Sequence, residues 1–85
     1  MEEKEIGAIE KYFSQAGVGV LNLKNQELKI GDIIHIKGHT TDFTQKIESM
    51  QVEHKPINLA TPGSSVGLKV KDRVRPGDKV YLVTA

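Results

Sequence analysis

Alternation is the feature that most limits how this chain can fold. In DIIHIKG (Asp32 to Gly38), Ile34 and Ile36 alternate with His35 and Lys37. In VGLKVK (Val66 to Lys71), Val66, Leu68 and Val70 alternate with Gly67, Lys69 and Lys71. A period of two sends one set of side chains to a buried face and the other to water, as a β-strand does. The same reading places strands at KEIGAIEKYF (Lys4 to Phe13), GVGVLNL (Gly17 to Leu23), DFTQKIESMQVEHK (Asp42 to Lys55) and KVYLV (Lys79 to Val83). β-Branched residues and glycines stand where a helix would want Leu, Ala or Glu, so no helix is expected. Short strands with turn signals about every 8–12 residues predict an all-β fold, a small six-stranded antiparallel closed barrel. The 85 residues allow one domain, 1–85, with its core over about 6–83.

The turns repeat a pattern. LKIGDII (Leu28 to Ile34) and VRPGDKV (Val74 to Val80) both read apolar, basic, any, Gly, Asp, any, apolar. Glycine supplies the left-handed backbone such a turn requires, and the aspartate can accept from a backbone N–H. ATPGSSVGL (Ala60 to Leu68) carries a related Pro-Gly turn. The echo predicts a repeated turn-then-strand unit rather than a chemical site. Two segments break the alternation. Ile47 and Val52 have opposite parity, so a uniform strand cannot bury both; a bulge near Ser49–Met50 would restore the phase. Val20 and Leu21 show a similar slip. Alternatively, one of each pair faces outward.

Charge limits the classes of partner. Twelve basic and eleven acidic residues leave a formal net charge of +1. Bulk electrostatic attraction to nucleic acid is therefore excluded, and only a local patch could serve. The absence of cysteine excludes disulfides, thiolate chemistry and cysteine-ligated zinc. The start, MEEKEIGAI, is acidic and lacks the apolar stretch of a secretory signal. No apolar run approaches the roughly 20 residues needed to span a bilayer. The expectation is a cytoplasmic protein without membrane contact.

His35 and His39 are four residues apart. On a strand that is ~13 Å, too far for two ligands of one ion. A metal set of His35, His39 and His54 would need a tight reversal at Gly38 and a third ligand from another strand, so the metal reading is set aside as a remote alternative. HTTD (His39 to Asp42) holds hydroxyls and a carboxylate, but nothing marks a nucleophile elbow or an oxyanion hole. It reads as turn chemistry. No Walker-type phosphate loop occurs. The chain is expected to be no enzyme and to carry no cofactor.

KVKDRVR (Lys69 to Arg75) is the most suggestive stretch. On a continuous strand, Lys69, Lys71, Arg73 and Arg75 would share one side, spaced by roughly 6.6 Å, with Asp72 pointing the other way. Such a row could track successive phosphates; a solvated barrel face is the other reading. Tyr12, Phe13, Phe43 and Tyr81 are the only aromatics. Any of them exposed beside the row could stack on a base, although Phe13 and Phe43 are expected in the core or covering an edge.

The motifs GDIIHIKG, DFTQKIESMQVEHKPINLATPGSSVGLKV and VRPGDKVY resemble the second-domain barrel of translation GTPases such as elongation factor Tu and elongation factor 1-alpha. They also resemble small stand-alone translation elongation factor-like proteins and the C-terminal barrel of collagenase-like peptidase family proteins. The likeness covers about Ile6 to Val83. It implies the barrel fold and a contact surface for RNA or protein. The GTPase domain has no counterpart in this chain, so GTP binding is not implied.

Two roles follow as expectations. The first is a non-catalytic barrel contacting tRNA or rRNA, with Lys69, Lys71, Arg73 and Arg75 on phosphates and His39, Thr40, Thr41 and Phe43 on ribose or base. The second is a protein-interaction accessory of a larger translation or RNA-modification factor, such as a collagenase-like peptidase homologue or a translation factor, using an open barrel edge or an exposed patch with Met50 and Val52.

Overall fold

The computed structural model describes residues 2–84. Its strands are β1 (Glu2–Phe13), β2 (Val18–Leu23), β3 (Leu28–Lys29), β4 (Ile33–Lys37), β5 (Asp42–Lys46), β6 (Met50–Val52), β7 (Lys55–Ile57), β8 (Leu59–Ala60), β9 (Ser65–Lys69) and β10 (Lys79–Thr84). No helix occurs among the described residues, so none is long and apolar enough to cross a membrane. The fold is all-β and every pairing is antiparallel.

The expectation of six strands in a closed barrel is corrected. Ten strands form one eight-stranded sheet, ordered β5-β4-β10-β1-β2-β9-β6-β7, and a two-stranded pair, β3-β8. The sheet rolls up without closing, because among the described residues no ladder joins the β5 edge to another strand besides β4. A side chain spans the gap instead. Gln45 on β5 donates through Nε2 to the Lys69 carbonyl (2.8 Å) and accepts the Lys71 N–H on Oε1 (2.9 Å). One primary amide thus completes two backbone bonds that a ladder would otherwise supply.

The predicted long strand from Asp42 to Lys55 is broken for a physical reason. After Lys46 the chain leaves the sheet so that Ile47 can turn inward, where it is fully buried. Its N–H donates to the Asp32 carbonyl and its own carbonyl accepts from Gly31. The chain re-enters at Met50, also buried, and the parity conflict disappears. The slip at Val20–Leu21 resolves differently. Leu21 and Leu23 lie in the core, and Val18 and Val20 face outward.

β1 is the axis of the sheet, pairing with β10 on one side and β2 on the other. Register shifts at Glu5–Gly7 and at Ile9–Lys11 let Ile6 and Ile9, three residues apart, both reach the interior. They join Leu21, Leu23, Leu28, Ile34, Ile36, Leu68 and Val80 in one core. Each fully buried aliphatic side chain contributes roughly 1.5–3 kcal/mol, which is how so short a chain holds a fold.

The Gly-Asp echo is seen directly. Asp32 N–H returns to the Lys29 carbonyl (3.1 Å) and Asp78 N–H to the Arg75 carbonyl (3.0 Å). Each aspartate Oδ2 accepts the N–H of the residue three earlier, Lys29 at 3.0 Å and Arg75 at 2.8 Å. Gly31 and Gly77 sit at φ 96° and 94°, the left-handed position a type II turn reserves for glycine.

Candidate functional site

The outer face of the sheet offers three distinct surfaces. The first crosses β1, β10, β4 and β5. His35 lies opposite Tyr81 on one side and Thr44 on the other. Its side chain is only 15% exposed and is bonded at both ends. Nδ1 donates to Glu3 Oε2 at 2.9 Å, and Nε2 donates to Asp42 Oδ1 at 2.5 Å. A neutral imidazole has one N–H and could serve only one of these carboxylates; the imidazolium serves both. The bond to Asp42, then the bond to Glu3, accordingly raises the histidine pKa above its ordinary 6.5, against the opposing effect of burial. The same bond lowers the Asp42 pKa from 3.8, with the Lys37 charge a smaller aid. Tyr81 lies against the ring, with centroids 6.2 Å apart.

This clamp ties the start of β1 to the free edge strand β5, and its pH dependence has a definite sign. The His35 contribution is fully present below 6.5 and is lost as the pH rises through the raised value. The Asp42 contribution is present above 3.8 and is lost as the pH falls through the lowered value. The clamp therefore holds best between these limits. The melting temperature of the natural chain should exceed that of His35→Gln at about pH 5.5, and the difference should shrink by about pH 8.5. A difference that is equal at both values contradicts the clamp.

The second surface is a hollow of about 840 Å³ across the outer side of β1, β2, β9 and β6. Val18, Val20 and the bare backbone at Gly67 line it, and Phe13 stands beside them with half its surface exposed (52%). Phe13 is thus neither core nor edge cover, contrary to expectation. The β6–β7 turn closes the far rim with Glu53 and His54 at φ 52° and 64°. Two successive non-glycine residues in the left-handed region are uncommon, and histidine is among the types that tolerate it. The alternative patch is corrected here too. Met50 is buried, and Val52 packs against the core rather than outward.

The third surface is the basic segment. β9 ends at Lys69, so the four cations do not lie on one continuous strand. Val70 and Val74 turn inward while Lys69, Lys71, Asp72, Arg73 and Arg75 are all exposed. Strict alternation would have buried the Asp72 carboxylate between two valines, which is costly unless the charge is paired. The chain bends at Lys71–Asp72 instead. Gln45 holds Lys71, and Gly38 abuts Asp78, which caps Arg75. The fold thereby brings the His39–Phe43 loop region alongside the basic segment. Within that loop His39 and Thr40 are exposed, Thr41 is buried, and Phe43 packs against the core. Thr41 therefore does not present a free side chain to a ligand, and Phe43 does so only in part.

His39 and His54 lie on exposed bends, and no group of three or more His, Asp or Glu is placed to hold a metal ion among the described residues. The clamp had no local sign in the sequence, since Glu3 and His35 are 32 residues apart.

The chain is similar to known proteins over most of its length. It is 43% identical over 72 residues to a collagenase of Porphyromonas gingivalis, covering 84% of this chain and 20% of that protein. It is 28% identical over 81 residues to elongation factor 1-alpha of Pyrococcus horikoshii, covering 19% of it. The chain thus spans about a fifth of the length of these curated relatives. Its fold matches the C-terminal domain of a Geobacillus thermoleovorans U32 peptidase with a TM-score of 0.87 and 24% identity, covering 95% of this chain and 93% of that domain. No protein-family model matches the chain. The resemblance to the terminal unit of collagenase-like proteins is supported. The resemblance to a stand-alone translation factor is not, and the likeness to elongation factor 1-alpha is the weaker one.

Proposed function

We propose that this chain is a non-catalytic accessory unit that docks on the body of a collagenase-like protein of the U32 peptidase type. The observation that carries this is the pattern of coverage. The likeness takes in 84% of this chain but only 20% of the collagenase, and the fold is that of a unit solved separately as a C-terminal domain. A segment of that size serves a larger body rather than supplying its chemistry. His35 supports the non-catalytic reading, because both ring nitrogens already face carboxylates and neither is free to take a proton from a nucleophile.

The hollow over β2 and β9 is the docking face. It offers an apolar floor at Val18 and Val20 and an exposed aromatic side chain at Phe13, whose ring carries a large apolar area for an interface. The test uses a purified collagenase-like protein of this type from which its own matching segment has been removed. Mixed with this chain, it should co-elute as a complex in size-exclusion chromatography, and Val20→Glu should abolish the complex while leaving the circular dichroism of the chain intact. Separate elution of the natural chain at concentrations of about 100 μM would contradict the reading.

A further inference from the structure

The basic segment borders a second, open hollow, which shares Tyr12 and Ser14 with the docking face but adds Arg73 and Arg75. Arg73 and Arg75 flank Val74, which is driven into the core with 1% of its surface exposed. Residues on either side of a buried anchor project together to the outside, and both arginines line one open hollow of about 690 Å³ with Tyr12 and Ser14. The backbone beneath them is fixed at several points. Val70 N–H donates to the Gly17 carbonyl at 2.9 Å and Gly77 N–H to the Ile9 carbonyl at 2.8 Å. Arg75 N–H is held by the buried Asp78 carboxylate at 2.8 Å. That carboxylate is therefore engaged with backbone, and among the described residues neither guanidinium has a carboxylate within ion-pair distance. Asp72 is exposed beside them but does not line the hollow.

We propose that this hollow binds a phosphate group, with the Arg73 and Arg75 guanidiniums donating in forked pairs and the Tyr12 and Ser14 hydroxyls completing the shell. Donor number selects phosphate over carboxylate. Two guanidinium forks and two hydroxyls exceed what the two oxygens of a carboxylate can accept, whereas a phosphate presents three or four. The fixed backbone lowers the ordering cost of gathering these donors.

The test is an NMR titration of the intact chain with inorganic phosphate, adenosine monophosphate, a short single-stranded RNA and acetate, each at constant low ionic strength. Phosphate should shift the Arg73, Val74, Arg75 and Ser14 amides and the arginine side-chain Nε–H signals. Arg73→Gln should weaken binding by about tenfold or more, as expected for loss of hydrogen bonds to a charged group. Lys24→Gln, on an exposed loop elsewhere, should leave it unchanged. Should RNA compete far better than the monophosphate, the group belongs to a nucleic-acid backbone; should the two compete equally, it belongs to a small phosphorylated molecule; both results support the site. Acetate shifting the same signals as strongly as phosphate, or phosphate shifting none of them, overturns it.

Discussion

Gly7→Ala is expected to destabilise the domain by about 3 kcal/mol or more. Gly7 is buried in the middle of β1, where it pairs with Leu23 on one side and Val80 on the other. A Cβ there would stand 2.1 Å from the Asn22 carbonyl oxygen and 2.9 Å from Leu21 Cδ1. The leucine can rotate, but a paired backbone carbonyl cannot, and β1 has no room to retreat because its other edge is hydrogen-bonded to β10. Overpacking in a core typically costs about 1–3 kcal/mol. A clash with fixed backbone lies at or above the top of that range. Against a total stability of about 5–15 kcal/mol, such a loss is a large share in a domain this small. Urea unfolding measures it, and a loss below about 1 kcal/mol would show that β1 and β2 are not so closely apposed.

Leu21→Ala should destabilise by about 2–5 kcal/mol, whereas Val20→Ala, one residue earlier, should cost well under half as much. Leu21 is completely buried, opposite Val66 on β9 and Ile9 on β1. Removing its methyls leaves a cavity that two flanking strands prevent from collapsing. Val20 faces the outer hollow, so its truncation mainly exchanges partly exposed surface for water. The contrast checks the face assignment of β2, because a one-residue slip in register would reverse the order of the two effects. Denaturation midpoints of the two variants, compared at unchanged m-value, read it directly.

Val20 and Leu21 also show where the sequence stops speaking. Alternation identifies β4 and β9 well, because buried and exposed residues alternate along each. In β2 both faces carry apolar residues, since one side is core and the other an exposed hollow, so period two alone cannot say which valine or leucine is inside. The Gly-Asp turns were legible because glycine and aspartate each have a specific backbone role there. The β6–β7 hairpin was not, because Glu53 and His54 occupy left-handed positions that Asn-Gly would normally announce. β3 and β8, two residues each, are too short to show any period. For the site, exposure of the four cations was readable, but the end of the strand at Lys69, which denies them a common strand, was not. The bridging role of Gln45 and the partners of His35 depend on strands that meet only after the sheet rolls up.

This unit is proposed to recognise a larger collagenase-like body through the face bearing Phe13. The most direct measurement is an amide chemical-shift map of the labelled chain, recorded with and without such a protein trimmed of its own matching segment. The account predicts shifts gathered at Phe13, Val18, Val20 and Gly67, with His35 and its carboxylates on the neighbouring face unmoved. Shifts centred on the His35 face instead, or a spectrum unchanged at saturating protein, would contradict it.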